Sequence, residues 1–298
     1  MSSDWANQEE RGSPFALRLI LWIAKNLGRN IARTILHPIT LYFLLAAKTQ
    51  RQASRDYLSR ILGRRATLSE VAQHIHCFAA TILDRVFLLA DRSDVLEIKR
   101  NKPEEIYQLV DKGQGCLLLG AHLGSFEVLR APAINERKMP LKILMYQNHS
   151  EQVSNIFTQL NPEIAQSIIP LGETDSMLKV ADAVAEGNAV ALLGDRTIGN
   201  EKVVECDFLG QTALFPIGPM LLASVLKVPV ILFVGLHMGG NRYELYFEKF
   251  ADKVVIDRKQ RSVETQKWVQ RYADRLEFYA KKAPNNWFNF YDFWKKNG

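Results

Sequence analysis

Hydrophobic and polar positions change rhythm once along this chain, near residue 95. Before that point the apolar residues recur at helical spacing. "SPFALRLILWIAKNLGRNIARTILHPITLYFLLAAK" reads as helix from Ser13, an N-cap with Pro14 in the first turn, and Pro38 is expected to interrupt it. "KTQRQASRDYLSRILGRR" continues as a basic, helix-compatible connector. Thr67 and Glu70 then form a T-x-x-E capping box that opens the long helix "LSEVAQHIHCFAATILDRVFLLA".

After residue 95 short apolar runs alternate with helical patterns. The expected strands are "VLEIK", "CLLLGA", "LKILMY", "SIIPL", "AVALLGD", "VVECDFL", "VPVILFVGL" and "RYELYFE". Between them lie expected helices such as "PEEIYQLVDKG", "SFEVLRAPAINERK", "SEQVSNIFTQL", "DSMLKVADAVAEG" and "GPMLLASVLK", and a last helix spans about 261–282. Such alternation predicts an α/β fold. It is a layered α/β/α domain with a mixed, largely parallel central sheet, preceded by N-terminal membrane-associated helices. The expected division is a basic amphipathic helical region over 1–92 and an α/β domain over 93–298.

Charge sharpens the first region. The whole chain of 298 residues carries +6, yet residues 11–65 hold eleven Lys and Arg against one acid, Asp56. Arg11, Arg18, Lys25, Arg29 and Arg33 fall on one helical arc, with Leu19, Ile20, Ile23 and Leu27 opposite. That pattern suits a helix lying in an anionic membrane surface; the other reading is a helix on a protein core with a solvated basic face. "ITLYFLLAA" is too short to span a bilayer alone, so monotopic attachment is favoured over a single-pass segment. Interleaved aliphatics and the absence of a recognition motif argue against nucleic acid. Cys77, Cys116 and Cys206 lack metal-like spacing and read as reduced, buried thiols, and no cofactor or metal is expected.

Chemistry concentrates at strand ends, where ligands bind in sheets of this kind. In "GCLLLGAHLGSFEVLR" the apolar run stops at Gly120, and His122 and Glu127 follow. With His122 in the turn and Glu127 in the next helix, the carboxylate can receive Nδ1–H and leave Nε2 as a base. "AVALLGDRTIG" delivers Asp195 and Arg196 to a second strand end, where Arg196 suits an oxyanion or a phosphate. "DFLGQTALFPIGPMLLASVL" offers Phe215 and Gly218 as the lining of an apolar slot. His74 and His76, two residues apart, point to different faces and do not suit joint metal binding.

The order of these blocks resembles the lipid A biosynthesis acyltransferases. "HLGSFE" fits that family's H-x4-E motif, "LLGDRTIG" its Asp-containing loop, and "DFLGQTALFPIGPMLLA" and "APNNWFNF" its later segments. The family's Asn-Trp is replaced here by Ser125-Phe126. The resemblance implies His122 as general base and Glu127 as its orienting carboxylate, with Gly124, Ser125, Asp195, Arg196, Phe215 and Gly218 around the substrate. It implies transfer from acyl carrier protein to a hydroxyl of a lipid A precursor or related envelope lipid, at the cytoplasmic face of a bacterial inner membrane. Acyl carrier proteins are acidic, so Arg51, Arg55, Arg60, Arg64 and Arg65 are expected to steer docking. Two alternatives remain: a lipid hydrolase with Ser125 as nucleophile, and a catalytically idle lipid-binding relative.

Overall fold

A computed structural model describes residues 26, 28–90, 92–130, 140–145, 166–197 and 201–294. Helix α1 (Arg29–Ala46), α2 (Lys48–Leu62) and α3 (Leu68–Leu89) come first. The expected capping box opens α3: Thr67 accepts from the Glu70 amide, and the Glu70 carboxylate accepts from the Thr67 amide. Ser13, Pro14 and the basic residues up to Lys25 lie outside the described residues.

Strands β1 (Glu97–Asn101), β2 (Cys116–Gly120), β3 (Leu141–Met145), β4 (Ile168–Pro170), β5 (Ala189–Leu193), β8 (Val230–His237) and β9 (Arg242–Ala251) form one sheet. Their order is β1-β9-β8-β2-β5-β3-β4, and every pairing is parallel except β8 with β9. The mixed, largely parallel sheet is therefore as expected. β2 and β8 are buried along their whole length, as an apolar run at the centre of a covered sheet must be. β1 carries Glu97, Lys99 and Arg100 at the edge, where charge discourages further strand pairing.

Side chains alternate between the two faces of the sheet. Leu117 and Leu119 enter one core with Val190, Leu232, Phe208, Phe215 and Tyr272, while Leu118 enters the other with Ala191, Phe233, Leu245 and Ile106. The first face is covered by α5 (Ser176–Ala185), α6 (Gly218–Leu226) and α7 (Arg261–Lys282), together with Tyr57 and Leu58 of α2. The second is covered by α4 (Glu104–Asp111) and the end of α3.

Four expectations are corrected. Pro38 does not end the first helix but lies inside α1. Both Pro38 and Thr34, whose carbonyl loses its helical donor, are exposed, so water can serve as that donor. The basic arc does not face outward at its described end: Arg29 is 8% exposed and grips Asp84 with Nε and Nη2 at 2.7 and 2.8 Å. A buried carboxylate demands a cation, and the exposed side of α1 instead shows Ile31, Leu41, Tyr42 and Leu45. No helix among the described residues is long and apolar enough to cross a membrane.

The segment read as a slot is also different. β6 (Val203–Phe208) and β7 (Gln211–Pro216) form an antiparallel hairpin apart from the main sheet, turned by Leu209 and Gly210 with positive φ. Two positive φ values suit the twist of a two-residue hairpin loop. Finally, the expected helix after His122 begins only as a short 3-10 turn, Glu127–Arg130; its continuation and the helix expected at "SEQVSNIFTQL" lie outside the described residues.

Candidate active site

Parallel pairing of β2 with β5 sets Gly120 opposite Leu193. Two residues further along each chain stand His122 and Asp195, so the strand register itself brings them together. The Gly194 amide donates to the Gly120 carbonyl at 3.0 Å, and Tyr272 donates to the same carbonyl at 2.7 Å. Both chain ends thus leave the sheet on a fixed path.

His122 Nδ1 lies 2.8 Å from Asp195 Oδ1, which also accepts the His122 backbone amide at 3.0 Å. The other oxygen, Oδ2, accepts from Trp287 Nε1 at 3.1 Å and Asn289 Nδ2 at 2.9 Å. Asp195 is wholly buried. Burial opposes its ionisation, but the His122 ring, the Arg196 charge and the His122 amide outweigh it and hold the carboxyl well below the usual range. An ionised acceptor at Nδ1 fixes the tautomer with the proton on that atom and the lone pair on Nε2. Among the described residues Nε2 has no hydrogen-bond partner, and the side chain is 28% exposed. Enclosure by protein atoms, then Arg196, lower the His122 pKa below 6.5, so the imidazole is neutral at pH 7.

The partner of His122 is therefore Asp195 and not Glu127. Glu127 Oε1 instead pairs with Arg85 Nε of α3 at 2.8 Å, and its Oε2 accepts the Ser125 hydroxyl at 3.2 Å. The physical reason is backbone path. Gly124 (φ +75°) donates its amide to Asn286, and Ser125 donates to Gly235 at 2.7 Å. A Cβ on Gly124 would sit 1.9 Å from the Gly235 carbonyl, so this crossing admits only glycine. The chain pressed against β8 turns Glu127 toward α3.

Other expected site residues have other roles. Ser125 is 1% exposed and directed at Glu127, which does not place it as the nucleophile of a hydrolase. The amides of Gly124 and Ser125 are taken by carbonyls and offer no oxyanion contact. Arg196 spends Nε on Asn289 Oδ1 at 2.6 Å and Nη2 on the Phe288 carbonyl at 2.9 Å, bracing the segment that serves Asp195. Phe215 is sealed among Phe208, Tyr272 and Phe293, and Gly218 starts α6. Phe215 is core and does not line an open slot, whereas Gly218 is exposed. Trp287, Asn289 and Arg85 were not singled out as site residues, although the "NNWFN" run is itself a signal of polar groups embedded among buried aromatics.

A neutral imidazole, oriented by a buried carboxylate at converging strand ends, can take a proton from a bound hydroxyl or water. The family described as "Bacterial lipid A biosynthesis acyltransferase" matches residues 10–296, and the chain belongs to it. It is thus a member of an acyltransferase family of lipid A biosynthesis. No curated protein matches the chain as a relative.

Proposed function

We propose that the chain transfers a fatty acyl group from an acyl carrier protein thioester to a hydroxyl of a lipid A precursor or related envelope lipid. His122 Nε2 takes the hydroxyl proton as the oxygen attacks the thioester carbonyl. The C–S bond then breaks, and His122 returns the proton to the departing thiolate. Asp195 orients the ring and stabilises the transient imidazolium. No acyl-enzyme forms. Glu127 acts at one remove by holding Arg85, whose charge also bears on His122. The donor's acidic surface would meet the basic α2 side, although Arg51 is engaged with Leu44, Arg60 lies 4.3 Å from the Trp294 ring and Arg64 binds Glu70. That leaves Arg55 and Arg65 as its foremost contacts. The acyl acceptor is reached from the cytoplasmic face of the inner membrane, by monotopic attachment.

The observation that carries this reading is the 2.8 Å contact of His122 Nδ1 with a buried carboxylate while Nε2 stays accessible. The test is product mass spectrometry with acyl-loaded carrier protein and candidate envelope lipids. His122→Ala should lower transfer about 10³-fold, and Asp195→Asn on the order of 10²–10⁴-fold, with the fold retained by circular dichroism. Full transfer by folded His122→Ala would refute the assignment, whereas a folded wild type that hydrolyses the thioester without an acceptor would favour the hydrolase.

A further inference from the structure

A cavity of about 680 Å³ opens between α1, α3 and the chain following α7, and His122 is not among its lining residues. Its walls carry Arg33 and His37 of α1, His76 of α3, and Lys282 at the end of α7. Among the described residues no Asp or Glu lines it. Thr40, Gln73, Asn285 and Asn286 add neutral polar groups, while Leu41, Leu44, Ala72 and Met238 make it partly apolar.

The nearest buried acid is already neutralised. Asp84 is held through both oxygens by Arg29 and accepts the Tyr243 hydroxyl at 3.0 Å, and Arg33 stands 4.0 Å from it. Arg33 also donates to the Gly240 carbonyl and is left as the outer cation of the pair. Beside it, the rings of His37 and His76 stack with centroids 4.8 Å apart, and Thr40 Oγ1 lies 3.1 Å from His76 Nδ1. Burial first, then His37 and Arg33, lower the His76 pKa. His237 on the inner wall faces Cys77 and the Gly240 carbonyl, and the charges that bear on it are Asp84, Arg33 and Arg29.

We infer that this recess is a binding site for a phosphate group borne on an apolar tail. Arg33 at the wall and the exposed Lys282 at the rim, its ammonium 5.2 Å from the Tyr246 ring centroid, flank two imidazoles with no opposing carboxylate among the described lining residues, a set of donors suited to a multiply charged oxyanion. Leu41 lines the cavity and is exposed beside Tyr42 and Leu45, which gives an attached acyl chain apolar surface to leave along. The site is separate from the His122 centre and stands whether or not His122 is the base. Its physical link to that centre is Asn286, which binds both the amide and the carbonyl of His237 and accepts the Gly124 amide.

Calorimetry on the full chain at low ionic strength tests it with two probes, inorganic phosphate and monomeric dihexanoyl phosphatidylglycerol. Saturable binding of the lipid, with phosphate competing more weakly, is expected. The double variant His37→Gln/Lys282→Gln changes two exposed side chains and should weaken both probes about tenfold or more. Lys281→Gln, a neighbouring exposed cation already paired with Glu277, should leave binding unchanged. Phosphate binding as tightly as the lipid would still support an oxyanion site and would assign its source as free phosphate. No saturable binding of either probe, or equal weakening by Lys281→Gln, would overturn the inference.

Discussion

Two histidines, His74 and His122, are built into this chain to opposite ends. His74 sits in α3, is 0% exposed and has both ring nitrogens engaged: Nδ1 with Ser54 at 2.8 Å and Nε2 with the Trp287 carbonyl at 2.9 Å. His122 sits past a strand end, has one nitrogen engaged and keeps the other accessible. Burial lowers both pKa values, so both are neutral at pH 7. The difference lies in what the second nitrogen meets. A satisfied imidazole is a structural tie between α2, α3 and the residues near 287, whereas a half-satisfied one has a lone pair left for chemistry. The two are joined, because Trp287 accepts from His74 through its backbone and donates to Asp195 through its indole.

The largest effect that would break this contrast is a stability effect at His74. Burial pushes its pKa down to about 4, against about 6.5 in the unfolded chain. The unfolded state then binds the extra proton between those values, so the contribution is complete above pH 6.5 and is lost as pH falls toward 4. The loss amounts to about 3 kcal/mol on that account. Urea unfolding at pH 7 and pH 4.5 should show the decline in wild type and a shallower one in His74→Gln. His74→Ala should also destabilise at pH 7 by about 3 kcal/mol, since it strands Ser54 and a carbonyl in the core. A His74 variant of unchanged stability with abolished transfer would reverse the two roles.

A smaller effect is expected at Glu127. Held away from His122 and against Arg85, it should influence substrate more than proton transfer. Glu127→Gln should raise KM about tenfold with kcat largely kept, as expected when one charge-assisted contact is misplaced. With Arg85 less compensated, the His122 pKa falls slightly and the acid limb of the rate profile moves to lower pH. A collapse of kcat equal to that of His122→Ala would instead make Glu127 a direct partner of the ring.

These contrasts also mark what could be read in the sequence. Apolar run length and helical spacing were enough for the eight expected strands, the last helix over Arg261–Lys282 and the Thr67 cap, because each is decided by neighbours within a few residues. That "GAH" and "GDR" each stand at a strand end was legible for the same reason. The pairing of His122 with Asp195 across 73 residues was not, since it depends on β2 lying beside β5 and on their register. Glu127 looked like the partner by proximity in sequence. The glycine-only crossing of Gly124 over Gly235, invisible without the fold, turned it away. The buried face of Arg29 was hidden likewise, because its anion, Asp84, comes from another helix.

The smallest effect tests the helix that both regions share. α3 carries His74 in its second turn and Arg85 near its end, while its first turn is secured by Thr67 and Glu70, with Arg64 clasping Glu70 at 2.6 Å. Thr67→Ala removes the side-chain acceptor for the Glu70 amide and should cost about 1 kcal/mol of stability. The loosening belongs to the exposed first turn, about one turn before His74 and four before Arg85. Hydrogen exchange should therefore quicken at residues 68–71 while His74, Arg85 and transfer activity are undisturbed. If activity fell in step with the cap, α3 would couple its end to the His122 site as one rigid unit, and the separation drawn between structural tie and chemical base would have to be redrawn around that helix.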